Sequence, residues 1–416
     1  MKTLNKIIIT KMDGRILTAL MDGQRAVQLN LEEEETSILG NIYIGKVKNI
    51  IKNINSAFID LGGGLTGYYS LTENREHIFA GCGGPACLEG QSPGPEIKTS
   101  GRVLRHGDEI VVQVSKDAVK TKDPTVTSCL SFTGRYCVVT AGRRHIGFSS
   151  KISDGKWKAQ VRQALTEEMD GDFGIIIRTN AASVPMDEII KELGQLKERC
   201  RRILTDKAYR ACPGLLYEAW PSYIESLRDT YKDLMEEIIT DDEHIFLKIQ
   251  DYLGRYQPQD LGKVRFYKDD LLPLAKLCSI EKAVEDALAR RVWLSSGGYL
   301  VVDHTEAMTV IDVNSGKYAG KKTLRETILK INLEAAREIA FQLRLRNLSG
   351  IILVDFIDMQ ENEDREALLA AFKSECAKDP VKTTVVDMTR LGLVEVTRKR
   401  IRKPFREQIQ KGDYRR

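Results

Sequence analysis

The sequence predicts a multidomain α/β protein. Its 416 residues are enough for two to four domains. A strand–helix–strand pattern lies between Gly298 and Met359. Short strand-like segments with glycine-rich turns dominate roughly the first quarter of the chain. Hydrophobic residues make up 42% and charged residues 29%, which is typical of an ordinary globular protein.

The N-terminal residues 4–31 predict a three-stranded meander. Asp13-Gly14 and Asp22-Gly23 separate three apolar runs, and Asp-Gly between such runs is a strong hairpin signal. Three strands alone are marginally stable, so we expect these strands to pack against something later in the chain.

Residues 40–113 predict a small β-barrel, from short strands at 42–47, 56–61, 67–70 and 109–114. Phe58 and Tyr68 (or Tyr69) lie on the strands that flank Gly62-Gly63-Gly64. These rings could stack on nucleic-acid bases or pack in the core, and the pattern alone leaves both readings open. We assign no function to the Gly- and Pro-rich loop 81–101.

The middle of the chain alternates between helical and strand patterns. Residues 115–125 form a polar connector, and 185–205 and 219–238 carry charged and apolar residues at helical spacing. A short strand is expected at 263–267 and a helix at 271–289.

The central unit consists of two apolar runs, each of which stops on a carboxylate. Residues 309–316 contain Asp312 and residues 350–359 contain Asp355, with a helix between them that begins at a capping box, Thr323-x-x-Glu326. A strand–helix–strand unit of this length has parallel strands. Both carboxylates are therefore expected at one edge of one sheet.

Two carboxylates this close repel unless a proton or a cation lies between them. Hard oxygen ligands favour Mg²⁺, with Mn²⁺ as an alternative, and Asn314 points to the same face as Asp312. Aspartates that end strands are also common helix caps and turn formers, so this reading stays open. Calcium is the weaker choice, because position 323 is Thr and not the bidentate Glu of a calcium loop.

Charge and cysteine content add further limits. The net charge is only +4, but residues 390–416 carry ten Lys or Arg against three Asp or Glu, a strip that could bind a phosphate backbone or simply be solvated. The eight cysteines include no C-x-x-C pair, so a zinc site from one chain is not expected. The sequence has no signal-peptide pattern and no apolar run long enough for a bilayer, so we expect a cytoplasmic protein without a membrane partner.

Five segments together resemble the catalytic region of the ribonuclease E/G family. They are Ile311-Asp312-Val313-Asn314-Ser315, Asn332-Leu333-Glu334-Ala335-Ala336, Gln342-Leu343-Arg344-Leu345-Arg346, Gly350 through Met359, and Arg390-Leu391-Gly392-Leu393-Val394-Glu395. The resemblance implies an endoribonuclease in which Asp312 and Asp355 hold a catalytic Mg²⁺, with Asn314 supporting them. The expected products carry a 5′-phosphate and a 3′-hydroxyl.

The resemblance also implies a domain order. Residues 1–36 and 215–280 would form the two parts of an RNase H-like subdomain. An OB-fold RNA-binding domain (37–122) and a 5′-sensor subdomain (123–214) would be inserted between them. Residues 281–416 would form a DNase I-like catalytic subdomain.

Several RNA contacts are implied by the same match. Phe58 and Tyr68 match aromatic residues that contact RNA, and basic residues at the substrate would be Lys122, Lys151 and Lys382. The sensor for a 5′-monophosphate would consist of Gly134, Val138, Arg178 and Thr179.

Two departures from the family pattern are expected to weaken that sensor. Asp123 stands where Gly is usual, and Ser149-Ser150-Lys151 stands where paired arginines are typical. A carboxylate near the RNA opposes phosphate binding, and one expected phosphate-facing guanidinium is absent.

Single-stranded RNA is the expected partner, in particular ribosomal RNA precursors and messenger RNA. The chain has no Cys-Pro-x-Cys segment of the kind that binds a shared zinc in many family members, so zinc is not predicted, while a homodimer stays open. The alternatives are a catalytically impaired RNA-binding protein and, more weakly, a DNA nuclease.

Overall fold

The computed structural model describes residues 5–33, 37–80, 99–118, 123–142, 144–169, 173–229, 235–316 and 324–410. They form strands interspersed with helices, which confirms the α/β class. In chain order, the strands are β1 (Asn5–Met12), β2 (Arg15–Asp22), β3 (Arg25–Glu33), β4 (Ile42–Ile51), β5 (Ser56–Gly62), β6 (Leu65–Ser70), β7 (His77–Phe79), β8 (Thr99–Ser100), β9 (Glu109–Lys116), β10 (Thr125–Thr127), β11 (Ser131–Thr133), β12 (Cys137–Ala141), β13 (Ile146–Phe148), β14 (Phe173–Ile177), β15 (Gly214–Tyr217), β16 (Met235–Thr240), β17 (Val264–Phe266), β18 (Arg291–Trp293), β19 (Tyr299–His304), β20 (Met308–Asn314), β21 (Gly350–Asp355), β22 (Thr383–Met388) and β23 (Leu393–Arg398).

The helices are fewer and mostly longer. The α-helices are α1 (Gly155–Glu167), α2 (Met186–Asp206), α3 (Ser222–Asp229), α4 (Glu243–Tyr256), α5 (Leu274–Leu277), α6 (Ile280–Leu288), α7 (Leu324–Leu345), α8 (Asn362–Ala377) and α9 (Phe405–Gln410). Within the described ranges, none of these helices has the length and apolar character to cross a membrane.

The chain divides into two compact units. One contains Met1–Glu35 and Asp233–Arg416, and the other contains Thr36–Lys232. The finer boundaries expected from the sequence, and the RNase H-like and DNase I-like assignments, stay predictions.

The first unit begins with the predicted meander. β1, β2 and β3 pair antiparallel through turns in which Asp13, Gly14 and Gly23 adopt positive φ. The sheet is completed by β16, which pairs parallel to β1, and by β17 beside it. Residues from much later in the chain therefore stabilise the N-terminal strands, as expected.

The second sheet of this unit has the strand order β18-β19-β20-β21-β23-β22. Helices α7 and α8 contribute to a core that covers one face of it, with Ile311, Ile352 and Val354 from the strands and Ile339 and Phe372 from the helices. The opposite face alternates with these positions and is partly open to solvent, since Asp312 and Asp355 are exposed. This open face carries the candidate active site.

The other unit contains a closed five-stranded barrel. Its strands pair in the order β4-β5-β6-β10-β9, and β9 returns to β4, which agrees with the OB-type barrel that was expected. Gly67 permits β6 and β10 to approach closely, because a Cβ there would lie 2.8 Å from Val126 Cγ1. β15 joins the barrel sheet by pairing with β4.

A separate four-stranded sheet in the same unit has the order β11-β12-β14-β13. Residues of α1 and α2 pack with it in one core, including Val161, Leu193 and Cys200. The residues predicted to sense a 5′-phosphate lie on or beside this sheet.

Three local expectations differ from the structure. Only Ser222–Asp229 of the segment 219–238 is described as helix, and Met235–Thr240 is a strand because β1 supplies its pairing partner. The helix expected over 271–289 is divided into α5 and α6, with Ser279 at φ 52° between them. The last barrel strand, β10, begins at the end of the segment read as a polar connector.

Candidate active site

The two predicted metal-binding aspartates face each other across two adjacent strands. β20 and β21 pair in parallel, and Asp312 lies directly opposite Asp355 in the register. Neighbouring strands are about 4.8 Å apart, so both carboxylates can reach one shared ion. The strand–helix–strand prediction is confirmed, and the carboxylates lie at the same edge of the sheet.

Asn314 extends this pair on the same face. Its Nδ2 donates a hydrogen bond of 2.7 Å to Asp312 Oδ2. To present its carbonyl oxygen to an ion held by Asp312, the amide would have to flip, an exchange of N and O that leaves the side-chain shape unchanged. The amide is therefore in reach of the expected site, although in this arrangement it serves Asp312 as a donor.

The electrostatics of this edge favour a bound cation. Partial burial, the negative charge of Asp312 and then that of Asp358 raise the pKa of Asp355. Within the residues that the structure describes, no group of three or more His, Cys, Asp or Glu side chains could hold a metal ion. Two carboxylates and one amide are nevertheless enough for Mg²⁺, which commonly keeps several waters. The donor set fits the expected ion.

A cavity of about 280 Å³ is lined in part by the segment that follows Asp355, residues 356–359. Asp358 and Arg390 are among the residues that line it, and Arg365 reaches it with its Nε bonded to the Met359 carbonyl at 2.8 Å. The positively charged side chains of Arg365 and Arg390 therefore lie near the two aspartates, where a phosphodiester would have to bind.

The backbone beside this cavity is tied to α7 by one buried side chain. Asn332 Nδ2 donates to the Ile357 carbonyl at 2.8 Å, and the Ile357 N–H donates to Asn332 Oδ1 at 3.1 Å. Asn332 is fully buried and Ile357 half-buried, so these two bonds are partly shielded from water. The segment after Asp355 is therefore fixed by the crossover helix.

The residues predicted to sense a 5′-phosphate lie together in the second unit. The Arg178 N–H donates to the Tyr136 carbonyl at 2.8 Å, and its Nη1 donates to the Gly134 carbonyl at 2.6 Å. Thr179 Oγ1 lies 3.0 Å from Ser149 Oγ. Val138 is directly opposite Ile176, two residues before Arg178.

Glu192 of α2 holds the turn that contains Gly134. Its carboxylate accepts hydrogen bonds from the N–H groups of Arg135, Tyr136 and Cys137, at 2.6, 2.7 and 3.0 Å. A Cβ on Gly134 would lie only 2.5 Å from Glu192 Cδ. Close packing against this carboxylate is therefore the physical reason for glycine at position 134.

The Arg178 guanidinium is already paired with a carboxylate. Asp229 Oδ1 lies 2.8 Å from Arg178 Nη1, with side-chain exposures of 45% and 25%. Asp229 also accepts from Arg228 Nε at 2.9 Å. Burial raises the pKa of Asp229, but Arg228 and Arg178 outweigh it and hold that pKa below the ordinary value. A terminal phosphate at Arg178 would have to compete with Asp229.

The whole chain is similar to known ribonucleases. A model described as the ribonuclease E/G family matches residues 131–401. Ribonuclease G of Escherichia coli (strain K12) is 32% identical over 396 residues, which cover 95% of this chain and 79% of the relative. The chain belongs to the ribonuclease E/G family.

Other relatives extend the same similarity. Ribonuclease G of Haemophilus influenzae is 33% identical over 398 residues, covering 95% of this chain and 79% of the relative. Ribonuclease E of Nostoc sp. (strain PCC 7120) is 33% identical over 369 residues, covering 87% of this chain and 51% of that protein. The predicted family is confirmed, and the protein is an enzyme of the endoribonuclease class.

The barrel aromatics expected from the family are arranged as a pair. Phe58 and Tyr68 lie directly opposite each other on β5 and β6, both half-buried, with ring centroids 6.1 Å apart. Tyr69 points the other way, fully buried, and its hydroxyl lies 2.7 Å from His77 Nδ1. The sequence left open which of the two tyrosines lies on the outer face of the barrel. In the structure, Tyr68 shares that face with Phe58.

The predicted basic contacts are less uniform. Lys151 is exposed beside the sensor, and its N–H donates to Ser149 Oγ at 3.4 Å. Lys382 is exposed but precedes β22, which runs parallel to β21. It therefore lies at the opposite end of the strands from Asp355, about 20 Å away along the strand direction. Lys122 falls outside the described residues.

Three residues at these sites were not assigned a role by the sequence. Asp358 could have been suspected, because it stands three positions after Asp355 in the same segment. Glu192 and Asp229 lie 57 and 51 residues from Arg135 and Arg178, with which they pair. No local pattern predicts such pairings, since they depend on how α2 and α3 pack.

Proposed function

We propose that this protein is a Mg²⁺-dependent endoribonuclease that cuts within single-stranded RNA and leaves 5′-phosphate and 3′-hydroxyl ends. The observation that carries the proposal is the pairing of Asp312 with Asp355 across adjacent parallel strands, at an exposed sheet edge. Family membership gives the ribonuclease class. The metal, the products and the substrates are our inference.

In this proposal, Asp312 and Asp355 hold the ion and Asn314 completes the donor set after its amide flips. When bound, the ion would supply Lewis-acid stabilisation of negative charge on the phosphodiester and would lower the pKa of water. Arg390 and Arg365, at the neighbouring cavity, would bind the RNA phosphates and orient the bond to be cut. Asp355 is kept close to its partner by the register itself.

The second unit would also bind RNA. Phe58 and Tyr68 offer ring surface for bases, which suits RNA of varied sequence because every base has a stacking face. Arg178 and Thr179 would bind a 5′-monophosphate once Asp229 is displaced. We propose ribosomal RNA precursors and messenger RNA as substrates, the cytoplasm as the compartment in which they are met, and a homodimer as the assembly to test.

The test is cleavage of a labelled single-stranded oligoribonucleotide in Mg²⁺, with EDTA as the metal-free arm. Asp312→Asn and Asp355→Asn should each lower cleavage by at least roughly a thousandfold, since several kcal/mol of charge stabilisation is lost. RNA affinity should be equal or higher, because one negative charge near the phosphates is removed.

Asp303→Asn is the matched control, because Asp303 lies on the same sheet face but is ion-paired to Arg290 at 2.6 Å. It should cleave normally. Full activity in Asp312→Asn or in EDTA would refute the proposal. RNA binding without cleavage by the unaltered protein would favour the impaired RNA-binding alternative, and equal cleavage of the matched deoxy strand would favour a less selective nuclease.

A further inference from the structure

The open face of the six-stranded sheet carries an aromatic pair that the proposed site does not use, one ring exposed and the other half-buried. Trp293 on β18 and Tyr299 on β19 lie directly opposite each other, with ring centroids 5.2 Å apart. Trp293 is 64% exposed. The intervening positions, Val292 and Leu300, point to the core instead. The two large rings therefore lie on the solvent side of β18 and β19, and the core packs against the other side of these strands.

A cation is stacked over both rings. The Arg291 guanidinium carbon lies 4.7 Å from the Tyr299 centroid and 5.7 Å from the Trp293 centroid. A guanidinium over aromatic faces gives a surface that attracts both flat bases and the negative backbone attached to them. Apolar ring surface and positive charge thus occupy the same small patch, defined by Arg291, Trp293 and Tyr299.

The register connects this patch to the acidic edge. Tyr299 is directly opposite Asn314, so Trp293, Tyr299 and Asn314 form one cross-strand row. The next row runs from Arg291 through Val301 to Asp312 and Asp355. Trp293 is two interstrand spacings, about 10 Å, from Asn314. Residues opposite each other share a sheet face, so the rings and the carboxylates face the same solvent.

We propose that Trp293 and Tyr299 form a stacking subsite for one base of the RNA strand whose phosphodiester lies at Asp312 and Asp355. This inference rests on the proposed function and adds a base-binding position to it. A base next to the cut would lie flat on the exposed Trp293 ring, while Arg291 would contact its phosphate. The subsite would hold the strand in line with the carboxylates without reading sequence.

Single-stranded RNA fits this patch better than a protein partner does. The patch is continuous with the proposed metal edge and carries a positive charge, both of which suit a polyanion that crosses that edge. Trp, Tyr and Arg are also common in protein interfaces, so a protein partner is the competing occupant that the experiment must exclude.

The test is binding of the full chain to a fluorescein-labelled single-stranded oligoribonucleotide in EDTA, so that the RNA stays intact. Trp293→Ala should raise Kd by about 5- to 150-fold, the range for the loss of one stacked base. An oligonucleotide with one abasic position, moved along the strand, should lose similar affinity for the unaltered protein when the missing base is the one that stacks. Combining the two changes should add less than about twofold.

The abasic series needs no altered protein, so a folding defect cannot produce its result. Trp293→Phe keeps a ring and should retain most of the affinity, whereas Tyr209→Ala, at an 85% exposed aromatic residue of the other unit, should change nothing. No dependence on Trp293 or on any abasic position would overturn the inference. If Trp293→Ala lowers the molar mass of the protein in solution but leaves its affinity for RNA unchanged, the inference is overturned in favour of a protein interface.

The same samples are assayed for cleavage in Mg²⁺ with the unaltered protein. Cleavage without any role for Trp293 refutes the subsite and leaves the proposed function intact. Loss of cleavage in the unaltered protein refutes the proposed function, whatever Trp293 does.

Discussion

Removing the negative charge of Asp229 should strengthen the response to a 5′-monophosphate. In the structure this carboxylate lies 2.8 Å from Arg178 Nη1, where an incoming phosphate would have to bind. The exposures of the two side chains, 25% and 45%, place the pair in the partly solvated class, which is worth about 0.2–1 kcal/mol. Asp229→Asn keeps the shape but removes the competitor, so the phosphate no longer has to displace it.

The upper end of that range corresponds to a factor of about five in affinity, and the lower end is close to one. We therefore expect Asp229→Asn to lower the KM for 5′-monophosphorylated RNA by up to about fivefold. The KM for the matched 5′-hydroxyl RNA should stay the same, because that end carries no terminal charge. The measurement is the ratio of the two KM values, which cancels effects common to both substrates.

Glu225→Gln is the matched control. Glu225 lies on the same helix, and its carboxylate is paired with Arg228 at 3.4 Å. This variant should leave the ratio unchanged, and Arg178→Ala should remove the preference for the 5′-monophosphate. The reasoning is refuted if Arg178→Ala keeps the preference, or if Asp229→Asn weakens it while the protein remains folded.

Three further outcomes are expected. Phe58→Ala should weaken binding of single-stranded RNA by about 5-fold or more, through loss of a stacking ring, with little change in thermal unfolding temperature; an unchanged Kd in a titration would contradict this. Gly134→Ala should lower the free energy of unfolding by about 1–3 kcal/mol in urea and reduce the 5′-monophosphate preference, since the methyl group would overlap the Glu192 carboxylate. Arg398→Ala should lower the free energy of unfolding by about 3–5 kcal/mol, because it removes the guanidinium that lies 2.7 Å from the buried Asp379 carboxylate; a urea midpoint equal to that of the unaltered protein would count against it.

The sequence predicted the acidic edge well because the evidence for it is local. Apolar runs that stop on Asp312 and Asp355, with a helix between them, leave few topologies open, and parallel pairing then fixes which edge the carboxylates share. The meander was equally accessible, since its turns carry their own signal at Asp13 and Gly14.

What the sequence could not give depends on packing between distant segments. Tyr68 and Tyr69 are neighbours in a strand, and only the barrel decides which of them is buried. The position of Lys382 follows from the direction of β22, which is set by two antiparallel pairings beyond β21. The contact of Asp229 with Arg178 is made by a side chain of α3, 51 residues further along the chain, and no spacing rule predicts it.

The side chain of Asn332 makes hydrogen bonds of the kind that a neighbouring strand would make. Its amide donates to the Ile357 carbonyl and accepts from the Ile357 N–H, so both backbone groups are paired just beyond the end of β21. The chain just past the acidic edge is thereby given the stiffness of the helix beneath it, although it has no regular structure of its own. The geometry that the two aspartates present to a substrate therefore depends on the middle of α7. A substitution that disturbs this helix would also change the geometry of the candidate active site.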